Sequence, residues 1–217
     1  MRVAEEHGFT KIAKVEIMDA KGEFKIPVRD TTNIKYDLVG TGLKNYDFMI
    51  NLAHFKGHPM GGLGGVIKNQ SIGVASANGK AYIHSAGYQD KVEGVWGHTQ
   101  NQDGFLESMA AAAQAVADYF GDNILYISVM NNMSVDCDCV SKPESVKLKD
   151  YGILASLDPV ALDQACVDII FNMTPSDGND NAPLVERIKS RHGTHTIEHA
   201  EKIGLGSRKY QLISIDK

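Results

Sequence analysis

Apolar and polar positions fall into short runs that switch between a two-residue and a three-to-four-residue period. "MRVAEEHGF" ends at Gly8 in the manner of a helix closed by a glycine C-cap. "KIAKVEIMDA" and "EFKIPVRD" alternate apolar and polar residues on either side of Lys21-Gly22, which predicts two strands. "YDFMINLAHF" and "NILYISVMNN" are compact apolar runs of the kind that form buried strands. Between them "DGFLESMAAAAQAVADYFGD" is the clearest helix, rich in alanine and ending at Gly121. "YGILASLDPVALDQACVDIIFNM" reads as a strand to Ser156, a turn at Asp158-Pro159, and a helix with Pro159 in its first position. "APLVERIKSRHG" and "THTIEHAEKIGLG" predict two short helices, the second capped by Thr194, and "YQLISID" predicts a closing strand. Strands alternating with helices imply a layered α/β fold, its sheet largely parallel or mixed and flanked by helices. No repeat or linker interrupts the pattern, so residues 1–217 are expected to form a single domain.

Composition narrows the function classes. Apolar residues make up 43% and charged residues 23% of the chain, as in an ordinary globular protein. The net charge of −5 with no long basic run argues against a nucleic-acid partner or an anionic membrane surface. No apolar stretch is long enough to cross a bilayer, and the charged start lacks a signal-peptide core, so a cytoplasmic protein is expected. The three cysteines, Cys137, Cys139 and Cys166, do not make a disulfide framework. Cys166 lies in an apolar-periodic stretch and reads as a small buried hydrophobe.

Candidate chemistry gathers in two segments that each follow a predicted buried strand. "HFKGHPMGGLGGVIKN" holds His54 and His58, then Gly61, Gly62, Gly64 and Gly65, then Lys68 and Asn69. Two imidazoles four residues apart can converge on one ion. The spacing fits neither a Walker loop nor a dinucleotide fingerprint, but glycine amides can form an anion nest, with Lys68 as cation, carboxylate clamp or covalent amine. With Gly57 and Pro59 in it, the segment reads as a loop rather than a helix. The second segment, "DCDC" from Asp136 to Cys139, offers Asp136, Cys137 and Cys139 as metal ligands or as a reactive thiol centre. In an open α/β sheet, sites gather beyond the carboxyl ends of strands, so both segments are expected on one rim. His84 and His98 flank a long aperiodic stretch and could reach that rim as a further ligand or as an acid/base. "HTIEH", His195 to His199, spells the H-x-x-E-H pattern of inverted zinc peptidases, but the helix is short and polar and reads as a solvated face.

"INLAHFKGHPMGGLGGVIKNQSIGVAS", "MNNMSVDCDC" and "YGILASLDPVALDQACVDII" resemble the domain-of-unknown-function family 362, whose members are often labelled iron–sulfur-center proteins. The resemblance runs from "AEEHGF" to "THTIEHAEKIGLGSRKY". It implies a fold and a site location without a substrate. Many relatives carry ferredoxin-type cysteine runs after the glycine-rich segment. Here the matching region, from "HSAGYQD" to "NQDGFLE", has no cysteine, so no ferredoxin-type cluster is expected in this chain. Relatives also usually extend further before "EEHGF", so the chain reads as lacking an N-terminal portion usual in the family. A shorter likeness links His58, Gly64-Gly65 and Lys68 to the nickel-pincer lactate racemases; it implies histidines as proton acid/base and nickel ligand, with Lys68 joined to the cofactor.

These readings lead to three expectations. The first is a metal-binding, redox-type enzyme with zinc or iron at His54, His58, Asp136, Cys137 and Cys139, the glycines, Asn69 and Lys68 holding a small anionic substrate or cofactor. The second is a racemase or epimerase of a small hydroxy acid, with nickel. The third is a non-enzymatic metal-carrying or partner-binding domain. A homo-oligomer or an electron-transfer partner is compatible with the first and third.

Overall fold

The structure is a computed structural model and describes residues 1–137, 140, 147–176 and 178–216. It is an α/β fold built on a mixed sheet. Strands β3 (Met49–His54), β6 (Ile124–Met130) and β7 (Gly152–Ser156) lie in the order β3-β6-β7, with β6 parallel to β3 and antiparallel to β7. Helix α2 (Val66–Val74) packs on β3, and α5 (Pro159–Asn172) packs on β6 and β7. The long helix α4 (Gln102–Phe120) packs against α2 and completes the core; its alanines 110–113 are buried, which allows close helix approach. Asp158 caps α5 by accepting from the amides of Val160 and Ala161, with Pro159 at the first helical position as the sequence implies.

The sheet has two unlike faces. Asn51, Ala53, Ile124, Tyr126, Ser128, Met130 and Leu154 are buried toward the helices. On the other side Ile50, Leu52 and Ile153 are 59%, 60% and 71% exposed. The run "YDFMINLAHF" is therefore an edge strand with one open face, rather than a strand buried on both sides. Its apolar residues on both faces suggested full burial, and tertiary structure covers only one of them.

Three other expectations change. "KIAKVEIMDA" forms no strand: residues 13–17 have no regular structure, and Ile12 and Ile17 are exposed. The partner of β1 (Glu23–Pro27) is instead β2 (Tyr36–Gly40), paired antiparallel from Glu23↔Gly40 to Pro27↔Tyr36. Alternation alone does not supply a partner, and a strand without one leaves its backbone groups unpaired. "YQLISID" likewise has no strand partner over residues 210–216. The third change is the glycine-rich segment, which is a hairpin of β4 (Lys56–His58) and β5 (Gly62–Gly64), running straight into α2. Helix α3 (Ala77–His84) follows α2, capped by Ser76, whose Oγ accepts from the amide of Gly79. Glycine and polar residues disguised both helices.

Helices α6 (Ala182–Ser190) and α7 (His195–Lys202) close the chain around this core, α6 against the hairpin and α7 against α4 and α5. Among the described residues no helix is long and apolar enough to cross a membrane.

Candidate functional site

Because β3 and β6 are parallel neighbours, the segments that follow them leave the sheet at the same end. The amide of Phe55 donates to Val129 O at 2.9 Å, and the amide of Gly57 donates to Ser134 O at 2.8 Å. A Cβ on Gly57 would stand 1.8 Å from Val135 O, so only glycine permits this approach. The hairpin and the loop ahead of Cys137 are thus in direct backbone contact. Arg187 of α6 joins them: its Nη2 donates to Asp136 Oδ2 at 3.2 Å. Its Nε stands 2.9 Å from Oδ1 at an angle too poor for a hydrogen bond, leaving that second contact to charge attraction alone.

His58 is the buried polar group of this rim. Its Nδ1 accepts from the amides of Gly61 at 2.9 Å and Met60 at 3.2 Å, so the proton of the neutral ring sits on Nε2. Burial, then the positive charges of Lys68, His84, Lys56 and Arg187, push its pKa down to about 3. The ring is therefore neutral at physiological pH. In this geometry Nδ1 is occupied and Nε2 is protonated, which suits a hydrogen-bond donor better than a metal ligand. His84 comes from the end of α3, stacks on Phe105 with ring centres 4.8 Å apart, and donates from Nδ1 to Lys80 O at 2.7 Å. Burial also lowers its pKa.

The other residues singled out in the sequence have definite positions. His54 ends β3, on the open face of the sheet, with Nε2 2.8 Å from Asn131 O. Asp136 is paired with Arg187, and Cys137 is buried. Cys139 lies outside the described residues. Among the described residues, His54, His58, Asp136 and Cys137 do not bring three ligand atoms within 4.8 Å of one another. Packing accounts for Gly62 and Gly65. Gly62 (φ +77°) faces Gly193, and a Cβ on Gly65 would fall 2.2 Å from Asp163 Oδ1. Asp163, buried on α5, accepts from the amides of Val66 and Ile67 at 2.8 and 3.0 Å, filling the start of α2 where an anion would otherwise sit. Its burial, only partly offset by those two amides, pushes its pKa up to about 7. Asn69 donates to Asn51 Oδ1 at 2.7 Å and ties α2 to β3. Lys68, in the first turn of α2, depresses both His58 and His84 by its charge. Cys166 is buried on α5, its thiol pushed up to about 12, first by burial and then by the charge of Asp163.

A second group lies on α4 and α7. Glu107, His195 and His199 each bring one ligand atom within 4.8 Å of the others, and could hold a metal ion. His199 is 5% exposed, so "HTIEH" is not a solvated face. Burial pushes the Glu107 carboxyl up, but the hydrogen bonds from Asn33 and His195 and the charge of His199 outweigh it and hold it below the usual range.

The family of description Domain of unknown function (DUF362) matches residues 1–168. The chain belongs to the DUF362 family. The match takes in the hairpin, Lys68, the Asp136–Cys139 segment and Glu107, and it stops within α5. Helices α6 and α7 of this DUF362 chain, with Arg187, His195 and His199, lie beyond it. No curated protein and no solved structure matches the chain, and the nickel-pincer likeness is not shown. The sequence reading did not single out Asp163, Arg187, Lys56 or Glu107. Their partners are 96, 51 and 88 residues away along the chain for Asp163, Arg187 and Glu107, and no local pattern signals such contacts.

Proposed function

We propose that this chain is an enzyme acting on a small anionic substrate, carboxylate- or phosphate-bearing, at the rim where the hairpin and the loop after β6 meet, beside Lys68. The observation that carries this reading is a buried neutral imidazole under the influence of three cationic side chains, Lys68, Lys56 and Arg187. Such a field favours an anion, and a neutral Nε2–H can donate to a substrate oxygen without first losing a proton to it. In this reading Lys68 and Lys56 hold the substrate's charge. His58 donates from Nε2 to the oxygen on which negative charge develops. Arg187, held by Asp136, shapes the field rather than moving a proton. The test is calorimetric titration with a panel of small monocarboxylates, dicarboxylates and inorganic phosphate against the wild type, Lys68→Met and, as an exposed control, Lys202→Met. At least one anion is expected to bind, at least about tenfold more weakly to Lys68→Met and equally to the control, the loss of a charge-assisted contact worth about 1.5–3 kcal/mol. Binding by Lys68→Met equal to wild type would reject the reading.

A second reading keeps a redox-type zinc or iron centre on the same rim, with His54, Cys137 and Cys139 as ligands. It is supported by the buried Cys137 thiol in the loop that abuts the hairpin. Metal analysis of anaerobically purified wild type beside Cys137→Ser and Cys139→Ser separates it from the first: metal retained equally in all three leaves it without ligands.

A further inference from the structure

The cluster on α4 and α7 has a feature that ordinary hydrogen bonding does not satisfy. His199 Nε2 donates to Asp30 Oδ2 at 2.7 Å, and Asp30 is itself fixed by the amide and hydroxyl of Thr32 on its other oxygen. A neutral His199 then carries a lone pair on Nδ1. That nitrogen lies 3.6 Å from Glu107 Oε1, so two acceptors stand close together. His195 Nε2 approaches the same Oε1 at 3.2 Å, and Asn33 Nδ2 holds Glu107 Oε2 at 2.8 Å. Two acceptors this close, where His199 is 5% exposed, favour a positive charge between them, and a metal ion supplies one.

The distances favour an ion. A metal bound at about 2.0–2.1 Å by tetrahedral nitrogen and oxygen ligands sets neighbouring ligand atoms roughly 3.3–3.4 Å apart. The two edges that meet at Glu107 Oε1, 3.2 and 3.6 Å, bracket that value. The outer contacts also match those of a metal site. A carboxylate behind one histidine fixes its tautomer and aims the free nitrogen inward. The stacking of His192 on His195, with ring centres 4.8 Å apart, restrains the second ring, and His192 is anchored to Asp103 Oδ1 at 2.7 Å. His195 and Glu107 are each about a fifth exposed, so one side of the cluster is open to water.

We propose that Glu107 Oε1, His195 Nε2 and His199 Nδ1 form a site for one divalent transition ion of the zinc class, with Asp30 and Asn33 as positioning residues and a fourth position open to water. Two imidazoles and one carboxylate suit zinc or ferrous iron and not calcium or magnesium, which take oxygen ligands. The site shares no residue with the rim of His58 and Lys68 and does not depend on how that rim is used.

The experiment is titration of chelator-treated full chain with zinc chloride, and in parallel with cobalt(II) as a visible reporter of tetrahedral geometry. Wild type is compared with Glu107→Gln, His195→Ala and, as an exposed control, Lys202→Met. The expected result is one zinc per chain, at least about tenfold weaker in Glu107→Gln and in His195→Ala, and unchanged in Lys202→Met. Cobalt(II) should develop the strong d–d absorption of a tetrahedral ion in wild type and not in His195→Ala. Glu107→Gln is nearly isosteric and serves alone if His195→Ala does not fold. Two outcomes overturn the proposal: zinc uptake by Glu107→Gln equal to wild type, or no stoichiometric uptake by wild type.

Discussion

Replacing Gly57 with alanine tests the contact on which the rim depends. The new Cβ would lie 1.8 Å from Val135 O and 2.6 Å from Val135 C, both backbone atoms that cannot swing aside. To reach ordinary van der Waals distance at 3.4 Å, the oxygen would have to retreat about 1.6 Å, more than the 2.8 Å hydrogen bond from the amide of Gly57 to Ser134 O can tolerate. Overpacking of this kind costs roughly 1–3 kcal/mol, and the lost hydrogen bond adds about 1 kcal/mol. Gly57→Ala is therefore expected to lower the unfolding free energy by about 2–4 kcal/mol. Gly97 provides the control: a Cβ there meets nothing within 4 Å and its φ is not positive, so Gly97→Ala should stay within about 0.5 kcal/mol of wild type. Urea unfolding followed by circular dichroism, with equal slopes confirming two-state behaviour, reads both variants. If the two prove equally stable, the hairpin does not rest on the Val135 backbone and the reasoning about the rim is wrong.

Two further predictions concern buried groups. Asp163→Ala orphans the amides of Val66 and Ile67 at the start of α2, at about 1–3 kcal/mol for each unsatisfied donor, so a loss of about 2–6 kcal/mol at pH 6 is expected in the same unfolding assay; a change below about 1 kcal/mol would contradict the capping role. For His58, the folded pKa of about 3 lies below the ordinary 6.5, so the unfolded chain binds the extra proton between these values. Its contribution is then fully present above pH 6.5 and is lost as pH falls toward 3, by at most about 5 kcal/mol at 1.36 kcal/mol per unit. Urea midpoints from pH 7 to pH 4 should fall less steeply for His58→Gln than for wild type; parallel curves would mean that the imidazole titrates normally.

The fold class was readable because α4 and α5 carry strong local signals: alanine propensity with a terminal glycine in one, Asp158-Pro159 in the other. The strand pairing was less readable. "KIAKVEIMDA" alternates as well as β1 does, yet β2 takes the partner's role, because pairing depends on which segment the core brings alongside. The rim was partly legible. Two segments following apolar strands were expected at one end of the sheet, and Gly57 and Ser134 meet there. The tasks of the glycines were not, since close approach to Asp163, Val135 and Gly193 leaves no local trace. The Glu107–His195–His199 group was half legible. The letters "HTIEH" stood out, but their polar setting suggested solvent, and the carboxylates that enclose them come from residues 30 and 107.

The bare side of the sheet has a consequence in solution. Ile50, Leu52 and Ile153 present aliphatic surface to water on an otherwise acidic molecule. Attraction between such surfaces grows with sulfate salts and weakens in dilute urea, whereas attraction of an anion to lysines fades as any salt is added. Self-association through this face would therefore strengthen in sulfate, while the anion binding proposed at the rim would weaken in it.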